Sequence, residues 1–388
     1  MIYFVIFFIA LFLFLRYVNS TSKSEGRVPY TLLCIMLVIL SALRYRVGGD
    51  SLYYFDIFDS YPTLLTLSSY DFINSEYNLG WIVFNATVKS IGNSFYFFQF
   101  FHALIVNAII FYFIQKYAKN KFLTVSFYLF FYFFYFNMEI LRESLAIVIF
   151  LLAIPHLLEK KWLIYILYCL LAYLFHSSAL ILFVLPIFAR KMEIKYQVIL
   201  LVMLAAVINF ISLDNLLGSV FGSFSFAQRA SRNYLNKEMS IMGILIPLLK
   251  MFAFFIIYII AQRKKICLDH PLIIFVSPFI ILGLLASFIP GVYRFLNYLA
   301  IPMLIYTVDI LYSLIRTKNK RSISLVKVLS CFLILVLLQL QYLTRDMSQY
   351  TQNKSIFFNR YLPYHSIFNE QIDQTRENIF YNSMGVDR

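Results

Sequence analysis

The stretch "NMEILRESLA", residues 137–146, places Glu139, Arg142 and Glu143 at the head of an apolar run that continues "IVIFLLAI". On a helix Glu139 and Arg142 share a face, three residues apart, and Glu143 stands four from Glu139. Each charge in hydrocarbon costs on the order of 2.5 to 3.5 kcal/mol on insertion, so three together call for a wet cavity. A carboxylate beside a guanidinium can take a proton from an attacking hydroxyl while the arginine receives a leaving phosphate. An ion pair within the helix at the membrane surface is the plain alternative. "YLFHSSAL" adds His176, an imidazole able to shuttle a proton, donate a hydrogen bond or close a loop.

A second group of residues has the chemistry of anion and sugar binding. "RYRVGGDSLYYFDIFDSY", residues 44–61, gathers Arg46, Asp50, Tyr53, Tyr54 and Tyr61 around a Gly-Gly. Arg229 and Arg232 follow far downstream, and "PGVYRFLNY", residues 290–298, sets Arg294 and Tyr298 four apart. Arginine offers a planar, permanently charged fork that suits phosphate, and several converging on one mouth make a diphosphate receptor. Anchoring to lipid headgroups, an interfacial Tyr/Arg belt, or pairing with Asp50 or Asp56 would account for each one singly.

The elements that carry these residues follow from composition. Of 388 residues, 61% are hydrophobic and 13% charged, too much apolar surface for one soluble core. Repeated apolar runs near bilayer length, separated by short basic clusters, point to an all-α polytopic transmembrane bundle and not to a barrel. The N-terminal run has no preceding basic residues and no small-residue cleavage pattern, so it reads as a first span. Cys34, Cys169 and Cys331 fall in apolar runs and Cys267 beside a basic cluster, as structural thiols do. The net charge of +14 is spread between spans, which is a topology signal; no nucleic-acid partner is expected. Neither a P-loop, a dinucleotide-binding glycine pattern, zinc-ligand spacing nor a serine-hydrolase elbow is present, and no cofactor or metal is expected.

Spans are predicted at about 2–18, 28–43, 94–115, 122–136, 138–158, 162–175, 177–189, 196–213, 241–261, 270–289, 296–315 and 325–343, some twelve in all. With "NLGWIVFNATVKSIG", residues 78–92, lying in or dipping into the outer interface, every basic loop alternates to the cytoplasm. The expected layout is one helical domain over 1–343, with extracytoplasmic loops 44–93 and 214–240, and an extracytoplasmic tail over 344–388. All the candidate residues above then face outward. Lys250 and Asp309, inside two spans, are expected to pair with each other.

In order along the chain, these motifs resemble the EpsG/Wzy type of polysaccharide repeat-unit polymerases. "RYRVGGDSLYYFDIF" resembles the first-loop pattern of that family, "EYNLGW" with Glu76 the step after it, "MEILRESLAIVIF" its Arg-Gln-x-x-Ala helix start and "HSSAL" its His-x-Ser-Ala turn. "YRFLNY" and "YLPYHSIF" match weaker patterns, while Glu143 stands where glutamine is usual and Gly49 where threonine or another small residue is usual. The resemblance implies a GT-C-like inverting glycosyltransferase of the bacterial inner membrane, with its active site facing the periplasm. It would polymerise undecaprenyl-diphosphate-linked oligosaccharides into O-antigen or capsular polysaccharide, among membrane lipid and with a chain-length regulator as a further partner. Glu139, Arg142 and His176 would be catalytic, with Glu139 or His176 as base. Arg46, Asp50, Tyr53, Tyr54, Glu76, Arg229, Arg232, Arg294 and Tyr298 would bind substrate. An O-antigen ligase or a lipid-linked oligosaccharide flippase are the competing expectations.

Overall fold

The computed structural model describes residues 2–18, 26–72, 75–189, 196, 241–316, 323–343 and 360–383. Among these the secondary structure is helical, with no strand and one isolated antiparallel bridge between Arg44 and Ser366. Among the described residues six helices are long and apolar enough to cross a membrane: Phe95–Tyr117, Leu141–Leu158, Gly243–Arg263, Pro271–Phe288, Tyr293–Arg316 and Ile323–Leu340. Shorter apolar helices cover Ile2–Tyr17, Arg27–Ala42, Leu79–Ile91, Trp162–Phe175 and Ser177–Phe188. They fall within a few residues of the runs that hydropathy picks out; the run at 196–213 and the loop 214–240 lie outside the described residues.

The chain divides into two compact units, Met1–His176 with Gln339–Arg388, and Ser177–Leu338. The first unit contains α1 (Ile2–Tyr17), α2 (Arg27–Ala42), α3 (Asp50–Ile57), α4 (Leu79–Ile91), α5 (Phe95–Tyr117), α6 (Lys121–Tyr128), α7 (Phe134–Met138), α8 (Leu141–Leu158) and α9 (Trp162–Phe175). One π turn, Leu129–Phe133, runs between α6 and α7. Side chains cap two of the starts: Ser94 accepts from Tyr96 N at α5, and Asn120 from Leu123 N at α6.

Helix α5 is the scaffold of this unit, packing against α2, α4 and α8. Its buried side chains include Gln99, His102, Ala103, Val106, Asn107 and Ile110, which recur every three or four residues and so share one face. Helix ends leave carbonyls unpaired, at a cost of several kcal/mol each where water is absent. Gln99 of the α5 stripe meets that need at the end of α2, and His102 and Asn107 tie α5 to the segments around α8. Gln99 donates to the Ala42 and Arg44 carbonyls at 2.7 and 2.8 Å, around the end of α2. His102 donates through Nε2 to the Leu141 carbonyl at 2.9 Å, at the start of α8. Asn107 reaches Asn137 Oδ1 at 2.6 Å, where Ser41 Oγ also donates, just before the chain breaks between α7 and α8.

In the second unit, Asp309 is fully buried and takes His270 Nε2 at 3.1 Å, while His270 Nδ1 accepts from Leu272 N at 3.2 Å. The expected Lys250–Asp309 pair is thereby replaced. His270 enters from the loop that caps the turn Pro271–Phe275 and lies against Asp309, whereas Lys250 stays within the helix Ile241–Arg263.

Candidate functional site

The site is assembled on the loop between α2 and α3. Arg44, wholly buried, folds back over the end of α2, donating from Nη1 to the Ser41 carbonyl and from Nε to the Val47 carbonyl at 3.2 Å. Burial lowers its pKa to about 10. The loop's backbone groups are paired by the tail. Tyr45 N donates to His365 O at 2.8 Å, Ile367 N to Leu43 O at 2.9 Å and Gly48 N to Arg360 O at 2.9 Å. Arg46 and Gly48 adopt positive φ, 48° and 110°, which turns the chain sharply into α3.

Arg46 is committed to the tail. Its Nη2 donates to Glu377 Oε2 at 2.9 Å, its Nε pairs with the other oxygen, and its guanidinium lies 4.7 Å over the Phe55 ring. Burial works against the Arg46 charge, but Glu377 overrides it and holds the group protonated. Tyr381 OH donates to Asp56 Oδ2 at 2.6 Å, and Arg376 reaches the Arg46 and Pro363 carbonyls at 3.0 and 2.6 Å. The partner of Arg46 is thus an acid from the tail helix Gln374–Ser383, in place of Asp50 or Asp56.

Glu139 sits in the break between α7 and α8, ahead of the span that begins at Leu141. It is 5% exposed, and its Oε1 accepts from Gly49 N at 2.9 Å and from Tyr361 OH at 3.0 Å. Arg360 Nη1 lies 3.5 Å from Oε2. Burial raises the Glu139 carboxyl above the ordinary range and Asp50 adds to the shift, while Arg360, Gly49 N and Tyr361 oppose it. A Cβ at position 49 would stand 2.5 Å from Oε2, so glycine there is what lets the carboxylate seat on the loop.

Arg142, in the first turn of α8, is half-buried and reaches α3 and the turn before α4. Its Nε donates to Tyr54 OH at 3.0 Å, and its guanidinium lies 4.8 Å over the Tyr77 ring. Tyr77 OH is 2.9 Å from Tyr53 OH, Trp81 Nε1 donates to Tyr61 OH at 2.7 Å, and Trp81 packs on Tyr54 at 5.2 Å. Lys89 closes the floor, donating to the Asp59 and Tyr61 carbonyls at 2.8 Å each. Among the described residues no carboxylate pairs with Arg142, and no side chain hydrogen bonds to its two terminal nitrogens.

The structure therefore brings together Glu139, Arg142, Asp50, Tyr53 and Tyr54 around the first loop, with Arg46 behind them in the tail clamp. Asp50 and Glu76 are exposed at the head of α3 and beside Tyr77. His176 is buried at the end of α9, whose Tyr173 carbonyl accepts from Asn78 Nδ2 at 3.0 Å. In the second unit Arg294 is exposed, and Tyr298 is fully buried with its hydroxyl 2.9 Å from Ser178 Oγ. Arg229 and Arg232 lie outside the described residues. Tyr77, Trp81, Arg360 and Tyr361 are members of this region that the motif analysis did not single out. The first two stand inside "EYNLGW" and Tyr361 opens "YLPYHSIF", so the residues beside Glu76 and ahead of the late motif were the available signal.

A many-helix chain with several helices long and apolar enough to cross a membrane, carrying an aromatic-lined arginine and a buried carboxylate against its first loop, is that of a polytopic membrane protein. Within that class the chain belongs to the EpsG family, a Wzy-type polymerase-like family whose profile matches residues 27–366. No curated protein and no solved structure matches it. Membership assigns it to polysaccharide biosynthesis, as a polymerase-like or glycosyltransferase-like membrane enzyme.

Proposed function

We propose that this protein is an inverting glycosyltransferase of GT-C-like, roughly twelve-span architecture. It polymerises undecaprenyl-diphosphate-linked repeat units at the outer face of the bacterial inner membrane. The observation that carries this reading is Arg142, fixed by Tyr54 and Tyr77 with its terminal nitrogens unpaired among the described residues. A diphosphate leaving as the glycosidic bond breaks gathers negative charge, and a preorganised fork that meets that charge lowers the barrier without a proton donor. The hydroxyl of the next unit attacks the anomeric carbon from the opposite side and gives up its proton to a base. Glu139 is the favoured base, three residues from Arg142 and with its carboxyl raised by burial; His176 is the alternative. Tyr53, half-buried, supplies a ring face for sugars, backed by the buried Tyr54 and Tyr61, with Asp50 and Glu76 at the rim. Arg229, Arg232 and Arg294 remain candidates for the second carrier or sugar oxygens.

The test is elongation of a synthetic lipid-diphosphate repeat unit by the purified protein in liposomes. Glu139→Gln keeps size and one acceptor but cannot take a proton, so turnover falls while affinity for the donor stays near the parent's. His176→Ala is the counterpart: a dead His176→Ala beside an active Glu139→Gln moves the base to His176. In cells lacking the protein, lipid-linked glycans stop at single repeat units on their acceptor. Complete loss of transfer to the acceptor would mark a ligase, and failure of the purified protein to elongate the repeat unit sinks the reading.

A further inference from the structure

We propose that Leu64, Leu65 and Ile91 form a lipid-binding wedge, which inserts among the acyl chains just beneath the headgroups of the bilayer. Helix α4 fixes their depth. His102, two turns into α5, meets the Leu141 carbonyl, so α5 and α8 begin at the same end of this unit. Helices α8 and α9 pack along each other and are joined by the short link 159–161, so α9 finishes back at that end. Helix α4 lies across these ends. Its start is bonded to α9, Asn78 Nδ2 donating to the Tyr173 carbonyl, and Gly92, just past its end, packs on Phe97 of α5. At its middle, Phe84 touches Phe98 of α5 and Phe175 of α9, with ring centres 5.5 and 6.4 Å apart. Phe95–Tyr117 has the length and hydropathy of a span, so its start marks a hydrocarbon boundary. A helix of 13 residues laid across that level runs along the boundary and does not cross it.

The chain leading into α4 is strapped to that helix's last turn. Lys89 takes the Asp59 and Tyr61 carbonyls, and Leu64 N donates to Ser90 Oγ at 2.8 Å. The strap turns back where Thr66 N donates to the Thr63 carbonyl at 3.2 Å, which leaves Leu64 and Leu65 at its tip, beside the end of α4. Leu65 is 93% exposed, the most of any large apolar side chain among the described residues, and Ile91 is 67% exposed. Residues 60–70 and 90–101 contain no Asp, Glu, Lys, Arg or His, and the Lys89 ammonium is occupied by carbonyls. A protein partner would call for a polar rim, whereas an apolar, charge-free tip level with the end of a span fits lipid. The strap also connects the wedge to Arg142. Tyr61 accepts from Trp81, Trp81 packs on Tyr54, and Tyr54 accepts from Arg142. On the proposed function, from which this consequence follows, the wedge sets the depth at which Arg142 meets a lipid diphosphate.

Nitroxide labels on Leu65→Cys and on Ile91→Cys test the wedge by power saturation. Each is placed in the full chain, with the half-exposed Cys34 and Cys267 changed to serine, in phosphatidylethanolamine–phosphatidylglycerol vesicles. Oxygen concentrates among acyl chains and a neutral nickel chelate in water, so both labels should respond more to oxygen than to the chelate. The opposite order places the tip in water, and low access to both reagents places it under protein; either overturns the inference. The link to Arg142 is tested by Leu65→Asp in the same vesicles. Turnover of a synthetic lipid-diphosphate repeat unit should fall about fivefold while the melting temperature in detergent stays with the parent's, and Leu65→Met should keep the parental rate. A parental rate in Leu65→Asp overturns the link. A parent that does not elongate overturns the proposed function, while the labels still decide the wedge.

Discussion

Arg46 and Arg142 belong to the same unit, and each lies over an aromatic ring at 4.7 and 4.8 Å, but their remaining bonds differ. Arg46 spends its fork on Glu377, while Arg142 gives one nitrogen to a tyrosine hydroxyl. In the sequence both are arginines on the side poor in basic residues, with nothing local to tell which one an acid will hold. What separates the two is the acid beside each, and that is set by which distant segment docks there.

The sharpest way to break this contrast is Arg142→Lys. It keeps charge and loses geometry, and turnover should fall by about 10², near 2.7 kcal/mol, with little change in thermal stability. A parental rate would place Arg142 beside Arg46 as a structural group. Glu377→Gln should do the reverse. It leaves Arg46 without its counter-charge and should cost about 2 kcal/mol of stability, seen as a lower melting temperature in detergent, with kcat near the parent's. A smaller effect, about 1.5 kcal/mol, is expected for Gly49→Ala, since the added methyl must displace the Glu139 carboxylate; stability and turnover should drop together, and an unchanged melt and rate would show that Glu139 has another seat. Smallest is Tyr53→Phe. It removes the 2.9 Å contact to Tyr77, the ring under Arg142, and should lower kcat/KM by about fivefold, near 1 kcal/mol. No change there would mean that Tyr77 holds its position by packing alone.

Much of the helical frame was legible because apolar runs and basic clusters are local signals: Phe95–Tyr117 and Trp162–Phe175 fall on the predicted runs. The charged residues of the α7–α8 break stood out in the sequence too, since charges opening an apolar helix are conspicuous. The partners were not. Glu377 lies 331 residues from Arg46, and Tyr361 222 from Glu139, and no periodicity encodes such pairings. Lys250 and Asp309 show the same gap, since both were recognisable as intramembrane charges, yet His270 from a connecting loop took the acid.

The pairing of the first loop with the tail also sets an order of manufacture. The ribosome completes Arg46 early and Glu377 331 residues later, an interval on the order of half a minute at about 5–20 residues per second. Through that interval the loop lacks its clamp, so the nascent enzyme threads its helices before its arginines are sorted. A chain interrupted before residue 360 would enter the membrane with Gly49 N on Glu139 but without Tyr361, so that the carboxylate's full set of partners waits for the tail.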